Sequence, residues 1–160
     1  VKLFVPLFGN NDAAVQITDT TVTIDKDAES GDFTEIPNPL TEHEDIASLE
    51  RAIGFKLICP NLPDGYKADS FIDISSELAE VNYTNGADTV CFRMKKGDEA
   101  DISGDYNIYS VKKTLTAGDT AVTAEGDESI SKATWTKSGF AFSLTSEKGL
   151  TDAAVIAAVK

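Results

Sequence analysis

Apolar and polar residues alternate most clearly over residues 78–84 and 88–95. Ala79, Val81 and Tyr83 share one parity, and Val90, Phe92 and Met94 share one after the intervening Asn85-Gly86. A period of two predicts half-buried strands, and Asn-Gly is the favoured dipeptide of a type I′ hairpin turn. A two-residue loop there opposes Val81 to Val90, Ala79 to Phe92, Glu80 to Cys91 and Leu78 to Arg93, so the six apolar residues form a core-facing side. Residues 133–144 predict a second hairpin. A loop at Lys137-Ser138, or over residues 136–139, opposes Trp135 to Phe140 and Ala133 to Phe142, with Leu144 on the same face. Further strands are expected at 55–59, 67–74, 107–113 and 121–124.

Spacing changes to three and four at Ile46, Leu49 and Ile53, which predicts an amphipathic helix. Thr41 with Glu44 three residues on reads as its capping box, placing His43 in the first turn as an exposed residue. Gly54 stands where a left-handed residue ends a helix, with Phe55 positioned to fold back on Leu49. Near the C-terminus, Thr151-Asp152 precedes Val155, Ile156 and Val159 and predicts a short helix, with Leu150 stapling onto Val155. Together these elements predict an α+β fold: a curved antiparallel sheet of about seven strands, with an N-terminal amphipathic helix and a short C-terminal helix packed on one face. The other face is expected to be polar or to hold the N-terminal segment.

Before residue 38 the pattern is weaker. The apolar run over residues 1–8 is interrupted by Pro6 and falls far short of the ~20 residues that cross a bilayer. Residues 14–25 read as two short strands or one bulged strand, and residues 25–38 as a linker. The expected organisation is an acidic N-terminal segment, 1–37, followed by one domain, 38–160. A first residue of Val rather than Met is what signal removal, or trimming behind an anchor, leaves.

Composition narrows the function classes. The 160 residues are 41% apolar, enough for one core, and carry a net charge of −13. Residues 1–50 hold 11 acids and 2 lysines (−9), against 16 acids and 12 bases (−4) in 51–160. Nucleic acid and anionic lipid are therefore not expected partners. One His and two Cys do not furnish a Cys/His zinc site, and Cys59 and Cys91 form no CxxC pair. Strand parity sends Cys91 away from the core face and Cys59 toward it, so both are expected as free thiols.

The most unusual stretch is Asp101-Ile102-Ser103-Gly104-Asp105-Tyr106-Asn107, with oxygen-bearing side chains at alternate positions. As a calcium loop of the EF-hand type it fails, since Tyr106 stands where the turn needs Gly and Lys112 where a bidentate Glu belongs. The competing reading is a loop whose Asp, Ser and Asn side chains bond their own backbone, with Gly104 in a strained dihedral and Arg93 pairing with Asp101 or Asp105. Lys95, Lys96, Lys112 and Lys113 read as solvated edge residues. There is no GxSxG, P-loop, GxGxxG or HExxH motif. No catalytic residue, metal ligand or cofactor is assigned, and an enzyme is not expected.

From Asn38 onward, Asn38-Pro39-Leu40-Thr41, Gly54-Phe55, Pro63-Asp64-Gly65-Tyr66, Val81-x-Tyr83, Arg93-x-Lys95, residues 101–107 and Ala133-Thr134-Trp135 resemble a domain-of-unknown-function family of Gram-positive bacteria. Its members are similar to secreted lipoproteins, or to the outer parts of membrane proteins with anti-sigma-like cytoplasmic portions. The resemblance covers residues 38–159. It implies an extracytoplasmic location, secreted or anchored at the cell surface, and supplies no catalytic residues. The expected function is a non-enzymatic sensing or protein-interaction module of the cell envelope. Its partner is expected on the open sheet face or at the loop formed by Asp101, Ser103, Gly104, Asp105, Tyr106 and Asn107, with Arg93. The first alternative is a carrier of a small apolar ligand such as lipid, in a cavity lined by Tyr83, Phe92, Trp135, Phe140 and Phe142. The second is an envelope enzyme using clustered carboxylates.

Overall fold

The computed structural model describes residues 39–160. The expected N-terminal acidic segment, with its strands and linker, lies outside the described residues. The architecture corrects the α+β expectation. It is an eight-stranded antiparallel sheet with two short helices, and only 13% of it is helical. In chain order the elements are β1 (Leu40–His43), α1 (Ile46–Ile53), β2 (Lys67–Ile74), β3 (Leu78–Thr84), β4 (Thr89–Lys96), β5 (Val111–Ala117), β6 (Thr120–Gly126), β7 (Ile130–Lys137), β8 (Phe140–Leu150) and α2 (Asp152–Val159). Across the sheet the order is β1-β2-β3-β4-β8-β7-β6-β5.

The helix is therefore not the first element. Residues 41–43 pair with Phe71, Ile72 and Asp73 of β2, a long-range partnership that overrides the local capping signal. Asp45 caps α1 instead, accepting a hydrogen bond from the Ser48 backbone N–H at 2.8 Å. Gly54 ends the helix in the left-handed conformation, φ 85°. Residues 55–59 form no strand. Phe55 packs its ring 5.0 Å from that of Phe140, and the Ile58 amide meets the Met94 sulfur at 3.4 Å. His43 closes β1 rather than opening the helix. Its ring lies 2.6 Å from the Asp73 carboxylate and 3.0 Å from the Ser48 hydroxyl, and is largely buried.

Both central hairpins keep the expected faces but shift register by two residues. Val81 opposes Phe92, Ala79 opposes Met94 and Tyr83 opposes Val90. The Asn85 side chain accepts hydrogen bonds from the amides of Ala87 and Asp88, at 2.8 and 2.7 Å, and so closes a four-residue loop. In the other hairpin Trp135 opposes Phe142 and Ala133 opposes Leu144, around a two-residue turn at Ser138-Gly139 with φ of 54° and 83°. A two-residue slip preserves side-chain parity, which is why the core assignment survives it.

One face of the sheet carries Ala79, Val81, Val90, Phe92, Met94, Ala124, Ala133, Trp135, Phe142 and Leu144, all buried. Leu49 and Ile53 of α1 and Val155, Ala158 and Val159 of α2 join them in one core. Trp135 stacks on Phe142 at 5.3 Å, and Phe92 lies 6.2 Å from the same ring.

Candidate functional site

Topology dictates what covers the other face. Strand β4 lies at the centre of the sheet and β5 at its edge, with β8, β7 and β6 between them. The connection through residues 97–110 must span four interstrand steps, roughly 19 Å. It crosses the face opposite the helices.

Two rows of side chains receive it. One runs across the strands through Asn82, Cys91, Thr145, Lys132 and Glu125, the other through Glu80, Arg93, Ser143 and Thr134. Lys132, almost wholly buried, donates to the Asp101 carboxylate at 2.7 Å and to the Asp105 carbonyl at 2.9 Å, and lies 3.7 Å from Glu125. Burial alone would lower its pKa, but the carboxylates of Asp101, Glu125 and Asp105 outweigh that and raise it.

The expected ion pair is corrected: Lys132, not Arg93, forms the ion pair with the acidic loop. Arg93 pairs with Glu80 at 2.9 Å through both Nε and Nη2, and reaches the loop only through the Ile102 carbonyl at 3.2 Å. Its guanidinium also explains Gly104. That residue has φ +75°, and a Cβ there would lie 2.8 Å from Arg93 Nη1.

Within the loop the alternate side chains do bond their own backbone. The Ser103 amide and hydroxyl donate to Asp101 Oδ1 at 2.9 and 2.6 Å. The Asp105 amide donates to Ser103 Oγ at 3.0 Å, and the Asn107 amide to Asp105 Oδ1 at 3.0 Å. The Tyr109 hydroxyl donates to Asp105 Oδ2. Burial would raise Asp105, but the hydrogen bonds from Tyr109 and Asn107, with the Lys132 charge, hold its carboxyl below the usual value. Asp101 is lowered likewise: burial opposes, and Lys132 and Ser103 outweigh it.

Between this crossing segment and the sheet lies a cleft of about 500 Å³. Its far wall comes from an irregularity in β8. Lys132 pairs with Thr145 while Ile130 pairs with Leu150, so residues 146–149 bulge out opposite the single residue Ser131. Asp88 fastens the bulge, accepting from Ser146 Oγ at 2.7 Å and from the Lys148 amide at 2.9 Å, while Tyr66 donates to the same carboxylate at 2.7 Å. Gly149, φ +92°, is required because a Cβ would come within 1.7 Å of Ser129 Oγ. Ser146 and Glu147 thus reach the cleft with Asn82, Thr89, Cys91 and Thr145 from the strands. Ser103, Gly104, Asp105, Asn107 and Tyr109 close it from the loop.

Tyr106 points out of this assembly, 88% exposed, as does Ile108, 97% exposed. The aromatic residues expected to line an apolar cavity do not line the cleft. Phe92, Trp135 and Phe142 fill the core, Phe140 packs on Phe55, and Tyr83 is half-buried beside Cys59. Cys59 and Cys91 are both free thiols. Burial pushes the Cys91 thiol up to about 12. Among the described residues no cluster of three or more His, Cys, Asp or Glu could hold a metal ion, and no helix is long and apolar enough to cross a membrane.

The sequence marked the loop but missed Lys132, Asp88 and the bulge at 146–149. Lys132 alternates with Ala133, so parity alone places it on the open face. No local signal reports that a segment 31 positions away will cover it. No family model, curated protein or solved structure matches this chain.

Proposed function

We propose that residues 39–160 form a non-enzymatic sensing or interaction module of the cell envelope, located outside the cytoplasm, which meets its partner where the crossing segment overlies the open sheet face. The carrying observation is the exposure of Tyr106 and Ile108, 88% and 97%, on a backbone fixed from beneath by Lys132 and Arg93. A rigid loop that spends its polar side chains on its own backbone while presenting an aromatic and a β-branched residue to solvent has the form of a recognition element.

The chemistry of the cleft supports the non-enzymatic reading. A thiol pushed up to about 12 supplies no thiolate at neutral pH, and a carboxyl held low is a poor general acid. The apolar-carrier alternative is less well supported, because Phe92, Trp135 and Phe142 are spent on packing one another. The extracytoplasmic location rests on the resemblance, and protease added to intact producing cells checks it by degrading the domain.

A photo-crosslinking side chain at position 106 or 108, compared with one at Lys56, whose side chain is 90% exposed on the helix side, tests the module itself. A discrete adduct in the native envelope from 106 and 108 but not from 56 is expected. The same adduct pattern from all three positions would contradict the proposal.

A further inference from the structure

We infer that the cleft between the crossing segment and the sheet binds a neutral, polyhydroxylated ligand, a segment of glycan, and that this is what the module senses. The inference rests on the reading above and concerns the cleft beneath the crossing segment, whose outer side carries Tyr106 and Ile108.

Three observations carry it. First, no aliphatic, Phe or Trp side chain lines the cleft, unlike the apolar pockets that take lipids or drug-like molecules. Second, part of that lining is uncommitted. The hydroxyls of Thr89, Ser131 and Thr145 and the carboxylate of Glu147 have no side-chain hydrogen bond among the described residues, whereas Ser103, Asp105 and Ser146 are occupied in holding the walls. Hydroxyls both donate and accept, as sugar hydroxyls do, so a group of free Ser and Thr side chains lining one cleft matches a polyol in either direction. Third, charge excludes the main competitor. No Lys or Arg lines the cleft, while Asp105 and Glu147 do, so phosphate or a carboxylate ligand would be repelled. Tyr109 in the wall adds aromatic surface for the C–H faces of sugar rings.

The site is also built before any ligand arrives. Asp88 fixes Ser146 and the 146–149 bulge, and Lys132 fixes the loop, so binding orders little chain. The volume of about 500 Å³ suits two or three sugar units in an open groove rather than an enclosed monosaccharide.

Amide chemical-shift titration with three soluble neutral oligosaccharides, triacetylchitotriose, maltotriose and cellotriose, tests this. Inorganic phosphate and octanol serve as competing chemistries. Saturable shifts at Thr89, Asn107, Ser131 and Thr145 with at least one oligosaccharide at millimolar concentration are expected. Thr145→Val and Ser131→Ala, each with an unchanged melting temperature, should weaken that binding by about fivefold or more. No saturable shift with any oligosaccharide, shifts confined to the helix side, or a preference for phosphate or octanol at the cleft would overturn the inference. Crosslinks at 106 and 108 that persist beside a silent titration would leave the interaction module standing without the glycan; loss of both would remove both.

Discussion

Lys132 and Asp101 meet at 2.7 Å across the open face of the sheet, a side chain only 5% exposed reaching a carboxylate 31 positions away in sequence. This contact, with the 2.9 Å bond from Lys132 to the Asp105 carbonyl, turns a topologically necessary crossover into the fixed wall of a cleft.

Removing the ammonium should release that wall. Lys132→Met keeps most of the aliphatic bulk but leaves Glu125 and Asp101 facing each other without a cation. Because Asp101 is about one-third exposed, the loss should fall at about 2–3 kcal/mol, below what a fully buried pair shows. Urea denaturation measures it, and a Lys132→Arg control should recover part of the stability.

Gly104 sits against the Arg93 guanidinium, so Gly104→Ala imposes both a left-handed backbone on a β-carbon and a 2.8 Å approach to Nη1. The expected cost is about 1–2 kcal/mol. Arg93→Lys loses the two-nitrogen grip on Glu80 while clearing that space, so the double variant should be less destabilised than the sum of the two single changes. Additive losses in a double-mutant cycle would show that the guanidinium does not set the need for glycine.

Acid should open the cleft from its sheet-side wall. Burial alone would raise Asp88, but the hydrogen bonds from Tyr66, Ser146 and the amides of Lys148 and Thr89 outweigh it and hold its pKa below the usual value. A carboxyl depressed in the folded state contributes stability that is present above its unfolded pKa, about 3.9, and is lost as pH falls through the lower folded value. Asp101 and Asp105 add to it with the same sign. Melting temperature should therefore fall steeply below about pH 4, and Asp88→Asn should be less stable at neutral pH with a shallower acid limb.

Thiol chemistry gives an independent check of the two faces. Cys91 lies in the open-face row and burial pushes it up to about 12, while Cys59 is also raised by burial, next to the Tyr83 hydroxyl. Iodoacetamide at pH 8 should modify both much more slowly in the folded protein than in urea, Cys91 by at least about tenfold. Intact-mass measurement without reductant should show two alkylatable thiols. A mass two hydrogens lower, or rapid native labelling of Cys91, would contradict the placement.

How far the residues foretold this structure depends on the range of the interaction. Period-two alternation identified the buried side of both central hairpins, yet it is blind to a two-residue slip. Register was decided by Asn85 capping Ala87 and Asp88 in one turn and by positive φ at Ser138 and Gly139 in the other. Local capping chemistry misled at Thr41 and Glu44, because pairing of residues 40–43 with β2 claims that stretch and hands the cap to Asp45. This extra strand, with helices of only eight residues, is what makes the fold a predominantly antiparallel sheet. The bonds of Asp101, Ser103, Asp105 and Asn107 were legible because they join positions two apart. Their anchor at Lys132 was not, because it depends on β5 returning to the far edge of the sheet.

Hydrogen exchange at the amides of Ser103, Asp105 and Asn107 is the most direct test of a permanently built cleft wall. Each donates to a side chain within the loop, and Lys132 holds that loop on the sheet. The fold described here predicts slow exchange at all three amides in the native protein and a collective acceleration in Lys132→Met, with the β3–β4 hairpin amides remaining protected. Exchange at unprotected rates in the native protein, or rates unchanged by loss of Lys132, would show that the segment is not anchored and would contradict the account.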